Sequence, residues 1–346
     1  MNRIVENLNN VARQLSLLAT QSKVRVAFYT VQSRFHCQYE PKLVEIDGVE
    51  FRSVTPEELG GAGDPFDVIL IGCHNSNEDR LFFELRRRAR ASLFVAWMWD
   101  NHHHHVNNLR TAISTDVVLV SHWFDRFPMM SQGTVLGPHL PLPTRQWSPE
   151  GLEACYPDGL PVSRRDELFG GFGAYSFTPE RMAFLQGCQT TLKRHSITLV
   201  RDIGQYFERP YADRLREWVD HKVHLIAPVN RDVSCRLFEA LAVGQIPIVA
   251  DDMPDLDVVI PPAIQAQLPV LRFRPNSVDS ALDAYREALR RFDAEGQAGV
   301  TRRQRFACDH NSVGSRLAAC ARMIRGYKNL VLVDSDGVLG VAVQTG

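Results

Sequence analysis

Long apolar runs are missing from this chain. No segment approaches the roughly 20 residues that a membrane-crossing helix needs, so a helical span is not expected. Charge of one sign is missing as well: the formal net charge is −1, which gives no reason to expect nucleic acid as a partner. Paired cysteine spacing is also absent. The 7 cysteines stand apart at 37, 73, 155, 188, 235, 308 and 320 without any C-x-x-C. They read as reduced, mostly buried thiols of a cytoplasmic protein. There is no internal repeat and no low-complexity tract. The first residues lack the pattern of a cleaved leader, because Glu6 and Arg13 interrupt an amphipathic helix that carries Ile4, Leu8, Val11, Leu15 and Leu18 on one face.

What is present is a long, balanced chain. With 346 residues, 45% hydrophobic and 23% charged, it is globular and long enough for about two domains. Apolar strand candidates at Val24–Thr30, Asp67–Cys73, Ser92–Met98, Asp116–Ser121 and Gly133–Leu136 alternate with helical or polar stretches such as Glu78–Ala89 and Asn107–Ile113. Near-continuous apolar strands joined by crossovers imply a parallel sheet covered on both faces. A second set begins at Asp166–Gly173 and continues with a helix at Pro179–Cys188, a strand at Ser196–Arg201 and a helix at Tyr211–Val219. After a strand at 222–229 come a helix, the strand Ile246–Ala250, a strand at Val270–Phe273, an amphipathic helix from Val278 to Phe292, and a last helix over about 311–325. Between the sets, a stretch rich in Pro and Gly lacks any period. The domains are therefore 1–145, a linker 146–165, and 166–328. The tail 329–346 is apolar around Asp336-Gly337, a hairpin signal.

The richest local signal is Asn230-Arg-Asp-Val-Ser-Cys-Arg-Leu-Phe-Glu-Ala-Leu-Ala-Val-Gly244, followed by the strand Ile246–Ala250. At about 100° per residue, Asp232, Arg236 and Glu239 share one helical face while Val233, Leu237, Ala240 and Leu241 fall on another that can pack on a sheet. The polar face is left open to a ligand. The preceding strand ends at Pro228 and Asn230, so the helix N-terminus, where anions are favoured, sits at the strand's end. A guanidinium at Arg236 can clamp a phosphate, and a carboxylate at Glu239 can accept both hydroxyls of a ribose. The bland alternative is an ordinary surface pair at i,i+3.

The run Ser-x-Arg-x-Phe-Glu-Ala-Leu-Ala-x-Gly-x-Ile-Pro-Ile-Val, from Ser234 to Val249, resembles the nucleotide-sugar motif in the C-terminal domain of GT-B glycosyltransferases. It is most similar to the exostosin-like enzymes and those related to spore-maturation proteins. The resemblance implies an α/β fold of two Rossmann-like domains facing a cleft, with Glu239 on the ribose and Ser234 and Arg236 at the diphosphate. Many retaining members carry a second glutamate eight positions earlier. Here that position is Arg231, so the departure leans toward an inverting reaction.

Gly170-Gly171-Phe172-Gly173 reads as the turn between a strand and its helix, where backbone N–H groups of Gly171 and Gly173 can approach a phosphate; a plain tight turn is the alternative. His74, His102–His105, His122 and His139 all follow predicted strands, the side on which open α/β sheets place ligands. In Trp97-Met-Trp-Asp-Asn-His-His-His-His105, Trp97 or Trp99 can stack on a sugar, and Asp100, then His103, can take the proton of an acceptor hydroxyl. Capping or gap-filling histidines are the bland reading. A zinc site is disfavoured, since adjacent residues on an extended loop point to opposite sides.

The expected activity is sugar transfer from a nucleotide-sugar donor to a hydroxyl of a glycan, lipid-linked or protein acceptor, by inversion, with no metal and no further cofactor required. The acidic pair Asp251-Asp252 follows a strand directly, so one carboxylate alone would face a ligand. Arg86-Arg87-Arg88-Ala89-Arg90 is either a peripheral membrane contact or a solvated helix face. Two rivals stay open: a nucleotide-sugar epimerase or hydrolase on the same fold, and a non-catalytic sugar-binding or scaffold protein.

Overall fold

The computed structural model describes residues 2–30, 43–55, 58–59, 66–73, 84–87, 92–99, 105–122, 134–173, 178–201, 203–229, 231–335 and 338–346. It falls into two compact units. One comprises described residues up to Pro141 together with Gly314–Gly346, and the other Leu142–Val313. The sequence reading divides the chain near its middle and sets residues 329–346 apart as a tail. The contacts divide it twice, because the last residues return to the first unit.

The first unit is built on a nine-stranded sheet in the order β13-β14-β7-β6-β5-β4-β1-β3-β2. Its strands are β1 (Val24–Thr30), β2 (Leu43–Ile46), β3 (Val49–Ser53), β4 (Val68–Cys73), β5 (Leu93–Met98), β6 (Val117–Val120), β7 (Val135–Leu136), β13 (Tyr327–Ser335) and β14 (Val338–Thr345). β5 is buried at every position, as a run of consecutive apolar residues requires when helices cover both faces of a parallel sheet. The helix α1 (Asn2–Thr20) buries Val11, Leu15 and Leu18, while Ile4 stays exposed. The helix α2 (His105–Ile113) follows β5. The apolar tail forms the antiparallel hairpin β13–β14, and β14 joins the sheet in parallel beside β7. Its turn, Asp336-Gly337, lies outside the described residues.

Arg325 fastens this unit at the end of its last helix. The guanidinium donates to the carbonyls of Asp47 at 2.9 Å, Gly48 at 2.7 Å, Leu18 at 3.2 Å, Ser22 at 3.3 Å and also Gln21. One cation thus satisfies the carbonyls of the α1 C-terminus and of the β2–β3 turn together. Arg86 is also turned inward, holding both oxygens of the 1% exposed Asp116 at 2.8 and 2.6 Å. That arginine is paired within the fold, with its side chain still 37% exposed.

The second unit carries β8 (Arg165–Gly173), β9 (His195–Val200), β10 (His221–Ile226), β11 (Ile246–Ala250) and β12 (Leu271–Phe273), all parallel, in the order β12-β11-β10-β8-β9. Its helices include α3 (Pro149–Cys155), α4 (Pro179–Thr191), α5 (Ile203–Glu208), α6 (Tyr211–Val219) and α7 (Cys235–Ala242). The expected linker is in fact structured. Ser148 caps α3 by accepting from the Gly151 N–H at 3.1 Å, and Trp147, Leu152 and Leu160 join the core. The long helix Val278–Asn311 is broken at Gly296, whose φ of 56° and ψ of −144° are not helical, and resumes to bury Val300, Arg303 and Ala307. Two arginines close α7. Arg164 donates to the Val243 carbonyl at 2.7 Å, and the fully buried Arg303 donates to Gly244 at 2.9 Å and to Glu295 at 2.5 Å. Burial lowers Arg164 to about 9 and Arg303 to about 10, so both remain cations at neutral pH on the negative end of the helix.

Candidate functional site

In the second sheet the chain leaves β8 for β9 on one side, then crosses to β10 on the other. The winding reverses between β8 and β10. Ligands of open α/β sheets sit beyond the carboxyl ends of strands at such a reversal. The side chains gathered at these ends therefore decide what the site can hold.

Phe172, near the end of β8 and 1% exposed, has two guanidiniums over its ring, Arg181 at 4.9 Å and Arg236 at 5.8 Å. Arg181, from α4, donates through Nε and Nη2 to the Ala227 carbonyl at 3.0 and 2.7 Å, which ties α4 to the end of β10. Arg236 is half-buried, and its guanidinium has no hydrogen bond or ion pair among the described residues. Ser234 is the N-cap of α7, its Oγ accepting from the Arg236 N–H at 3.4 Å. Asp232 precedes the helix, so the face that joins Asp232, Arg236 and Glu239 does not exist. An N-terminus with positive dipole and a cation lacking a partner are what an anion requires.

Glu239 corrects the sequence reading. It does not lie on an open polar face; it is 1% exposed. Its Oε1 accepts from the backbone N–H groups of Arg145 at 3.3 Å and Gln146 at 3.2 Å, and its Oε2 accepts from the Gln146 side-chain amide at 3.1 Å. The Gln146 carbonyl oxygen in turn accepts from Arg214 at 2.9 Å, which fixes the orientation of the amide because a guanidinium can only donate. Arg214 sits over Tyr206, Phe207 and Trp147. Burial, with the charge of Glu239, pushes the Tyr206 hydroxyl up to about 12.

The glycine turn is likewise corrected. Gly170, Gly171 and Gly173 belong to β8, paired with β9 on one side and β10 on the other. A Cβ on Gly171 would make only ordinary contact with Thr198 at 3.5 Å, so no protein neighbour requires glycine there. Gly173 does end the strand at the reversal. The indoles expected to stack on sugar are core: Trp97 is fully buried, donating to Ser121 at 2.9 Å and to the Leu140 carbonyl at 2.8 Å, and Trp99 packs edge-on against it. His122 is buried, and His139 meets the Ser121 carbonyl at 3.1 Å. Asp100, His103, Asn230 and His74 lie outside the described residues.

Three participants were missed: Arg181, Gln146 and Arg214. Ser148-Pro149-Glu150 was a legible helix start that would have drawn attention to the residues just before it. The interior of β10 also holds a missed histidine. His224 is fully buried against Trp218, and its Nδ1 meets the Gln245 side-chain carbonyl at 3.1 Å. Burial, with the nearby charge of Arg236, lowers it to about 3, so it is a neutral ring. No disulfide joins the cysteines among the described residues; burial raises Cys188 to about 11 and Cys235, Cys308 and Cys320 to about 12, which makes these four poor nucleophiles. Arg231, at φ 61°, donates to the Asp252 carbonyl at 2.8 Å and pairs with its carboxylate at 3.1 Å.

No family model and no curated protein matches this chain. Solved structures do match it. A sucrose-phosphate synthase from Thermosynechococcus elongatus aligns at a TM-score of 0.54 with 10% identity, covering 91% of this chain and 91% of its own. An α,α-trehalose-phosphate synthase (UDP-forming) from Burkholderia vietnamiensis aligns at 0.53 with 10% identity over 92% and 99%. Another from Burkholderia xenovorans, in complex with glucose-6-phosphate, aligns at 0.56 with 10% identity over 87% and 100%. The fold is GT-B. At such identity the likeness speaks for the fold, and the chain is structurally similar to nucleotide-sugar glycosyltransferases. Among the described residues, no helix is long and apolar enough to cross a membrane.

Proposed function

We propose that this chain moves a sugar from a nucleotide-sugar donor to a hydroxyl of a glycan, lipid-linked or protein acceptor, by inversion and without a required metal, in the manner of the exostosin-like and spore-maturation-related enzymes. One observation carries the reading: at the strand reversal of a GT-B unit, Arg236 stands without an anionic partner among the described residues, beside the Ser234-capped end of α7. The diphosphate of the donor would lie there, with the Gly173 end of β8 alongside, and Asn230 is proposed as a further donor-binding residue. Asp100 is the proposed base, with His103 next. It takes the acceptor proton as the hydroxyl oxygen bonds to the anomeric carbon; the carbon–phosphate oxygen bond breaks, and Arg236 and the helix N-terminus stabilise the departing nucleoside diphosphate. Arg231 in the place of the retaining glutamate supports inversion. Its hold on Asp252 engages one member of the only adjacent acidic pair in that stretch, which supports a metal-free site.

Calorimetry with uridine, adenosine and guanosine diphosphates tests the reading. One of them should bind, and Arg236→Ala should weaken it by about 1.5–3 kcal/mol, roughly ten- to a hundredfold. Binding of none of them, or wild-type affinity in the variant, would make the scaffold reading the better one.

A further inference from the structure

The two oxygens of Glu239 are not equivalent. Oε1 is held by two backbone N–H groups, which no side-chain movement can withdraw. Oε2 is held by one side-chain amide, that of Gln146, itself 9% exposed. Swinging that amide away uncovers one acceptor of a buried carboxylate while the backbone keeps the carboxylate in place. The N–H that Gln146 offers is chemically what a sugar hydroxyl offers: a neutral donor to a carboxylate at 3.1 Å. Arg214 biases this arrangement. By donating to the Gln146 carbonyl oxygen at 2.9 Å, and by stacking over Trp147, Tyr206 and Phe207, it holds the amide with its N–H groups toward Glu239.

We infer that Gln146 is an internal stand-in for the donor's ribose, occupying Glu239 until a nucleotide displaces it, and that it thereby sets the affinity of the site. This rests on the proposed nucleotide site and on the donor's ribose being turned toward Glu239 within it. The nucleotide must exchange the Gln146–Glu239 hydrogen bond for its own, so only the surplus shows as affinity. The device is selective, because a nucleotide without ribose hydroxyls has nothing to give in exchange.

The experiment uses the full chain and whichever of uridine, adenosine or guanosine diphosphate the wild type binds, alongside its 2′,3′-dideoxy counterpart. Gln146→Ala leaves both backbone N–H groups on Oε1, and Trp147 and Trp218 fluorescence reports whether the variant is folded. It should bind the ribonucleotide about tenfold more tightly than wild type and the dideoxy form no better. Arg214→Gln, which frees the amide while keeping it, should shift the ribonucleotide in the same direction by less. Unchanged or weaker ribonucleotide binding in folded Gln146→Ala would overturn this inference and leave the nucleotide site standing. An equal gain for the dideoxy form would overturn it too, by removing the ribose from the exchange. If no nucleotide binds wild type or variant, the site and the inference fall together.

Discussion

Replacing Glu239 by alanine should cost this protein stability before it costs any ligand. The side chain is 1% exposed and accepts from the Arg145 and Gln146 N–H groups and from the Gln146 amide. Each buried donor left without an acceptor costs about 1–3 kcal/mol. Three would give up to about 9 kcal/mol, but the space left by the side chain can admit water to some of them, so the expected loss is about 3–5 kcal/mol. Against a usual stability of about 5–15 kcal/mol, that is a large share. Glu239→Gln should recover only part of it, because its amide would turn N–H groups toward the N–H groups of Gln146. Urea denaturation followed by tryptophan fluorescence is suited to the purpose, since Trp147 adjoins the network and packs on Tyr211 and Trp218. Arg236→Ala supplies the comparison: half-buried and without a hydrogen bond from its guanidinium among the described residues, it should change the midpoint little. A Glu239→Ala loss below about 1 kcal/mol would refute the reasoning, because donors that matter that little are not buried donors.

Acid should act through His224. Its ring is held neutral at about 3 against an ordinary 6.5, so the unfolded chain binds a proton that the folded one refuses; this stability is complete above 6.5 and lost as pH falls toward 3. The lowered His221 acts in the same sense. Denaturation at pH 7.5 and pH 5 should show a drop of about 2 kcal/mol attributable to His224, and His224→Gln should be flatter by that amount; parallel losses in both proteins would rule it out. Gly244 and Gly159 both have left-handed φ, at 75° and 89°, but a Cβ on Gly244 would stand 2.7 Å from Val300 Cγ1, whereas one on Gly159 meets nothing within 4 Å. Gly159→Ala should thus lose about 1 kcal/mol and Gly244→Ala about 2–4 kcal/mol by thermal or urea denaturation, and equal losses would show that packing adds nothing at Gly244.

The strands were legible because a strand buried on both faces must be an apolar run: β1, β4, β5 and β6 lie within a residue of where the sequence puts them. A helix start was legible at Pro179, where Thr178 caps the helix and proline takes its first position. The glycine-rich end of β8 was not, since its strand state is imposed by pairing with β9, a neighbour more than twenty positions on, which overrides a local turn signal. Nor was the helix beyond Gly296: that glycine does break the helix, but the chain resumes it at once. At the site, Ser234 and Arg236 could be read because cap and cation sit on one local element. The burial of Glu239 could not, because its partners are 93 and 94 positions away and no local period carries that information.

The double crossing of the chain between units has a consequence for its birth. β7 waits at the growing edge of the first sheet for β14, and Val135 must find Val341 across about 200 residues of intervening sequence. At the usual pace of synthesis, about 5–20 residues per second, that is roughly 10–40 s during which the edge of β7 is bare. Leu142–Val313, by contrast, is contiguous and can close on itself as soon as it emerges. The order of completion is therefore the reverse of the order of synthesis: the unit begun first is finished last, by its own final hairpin.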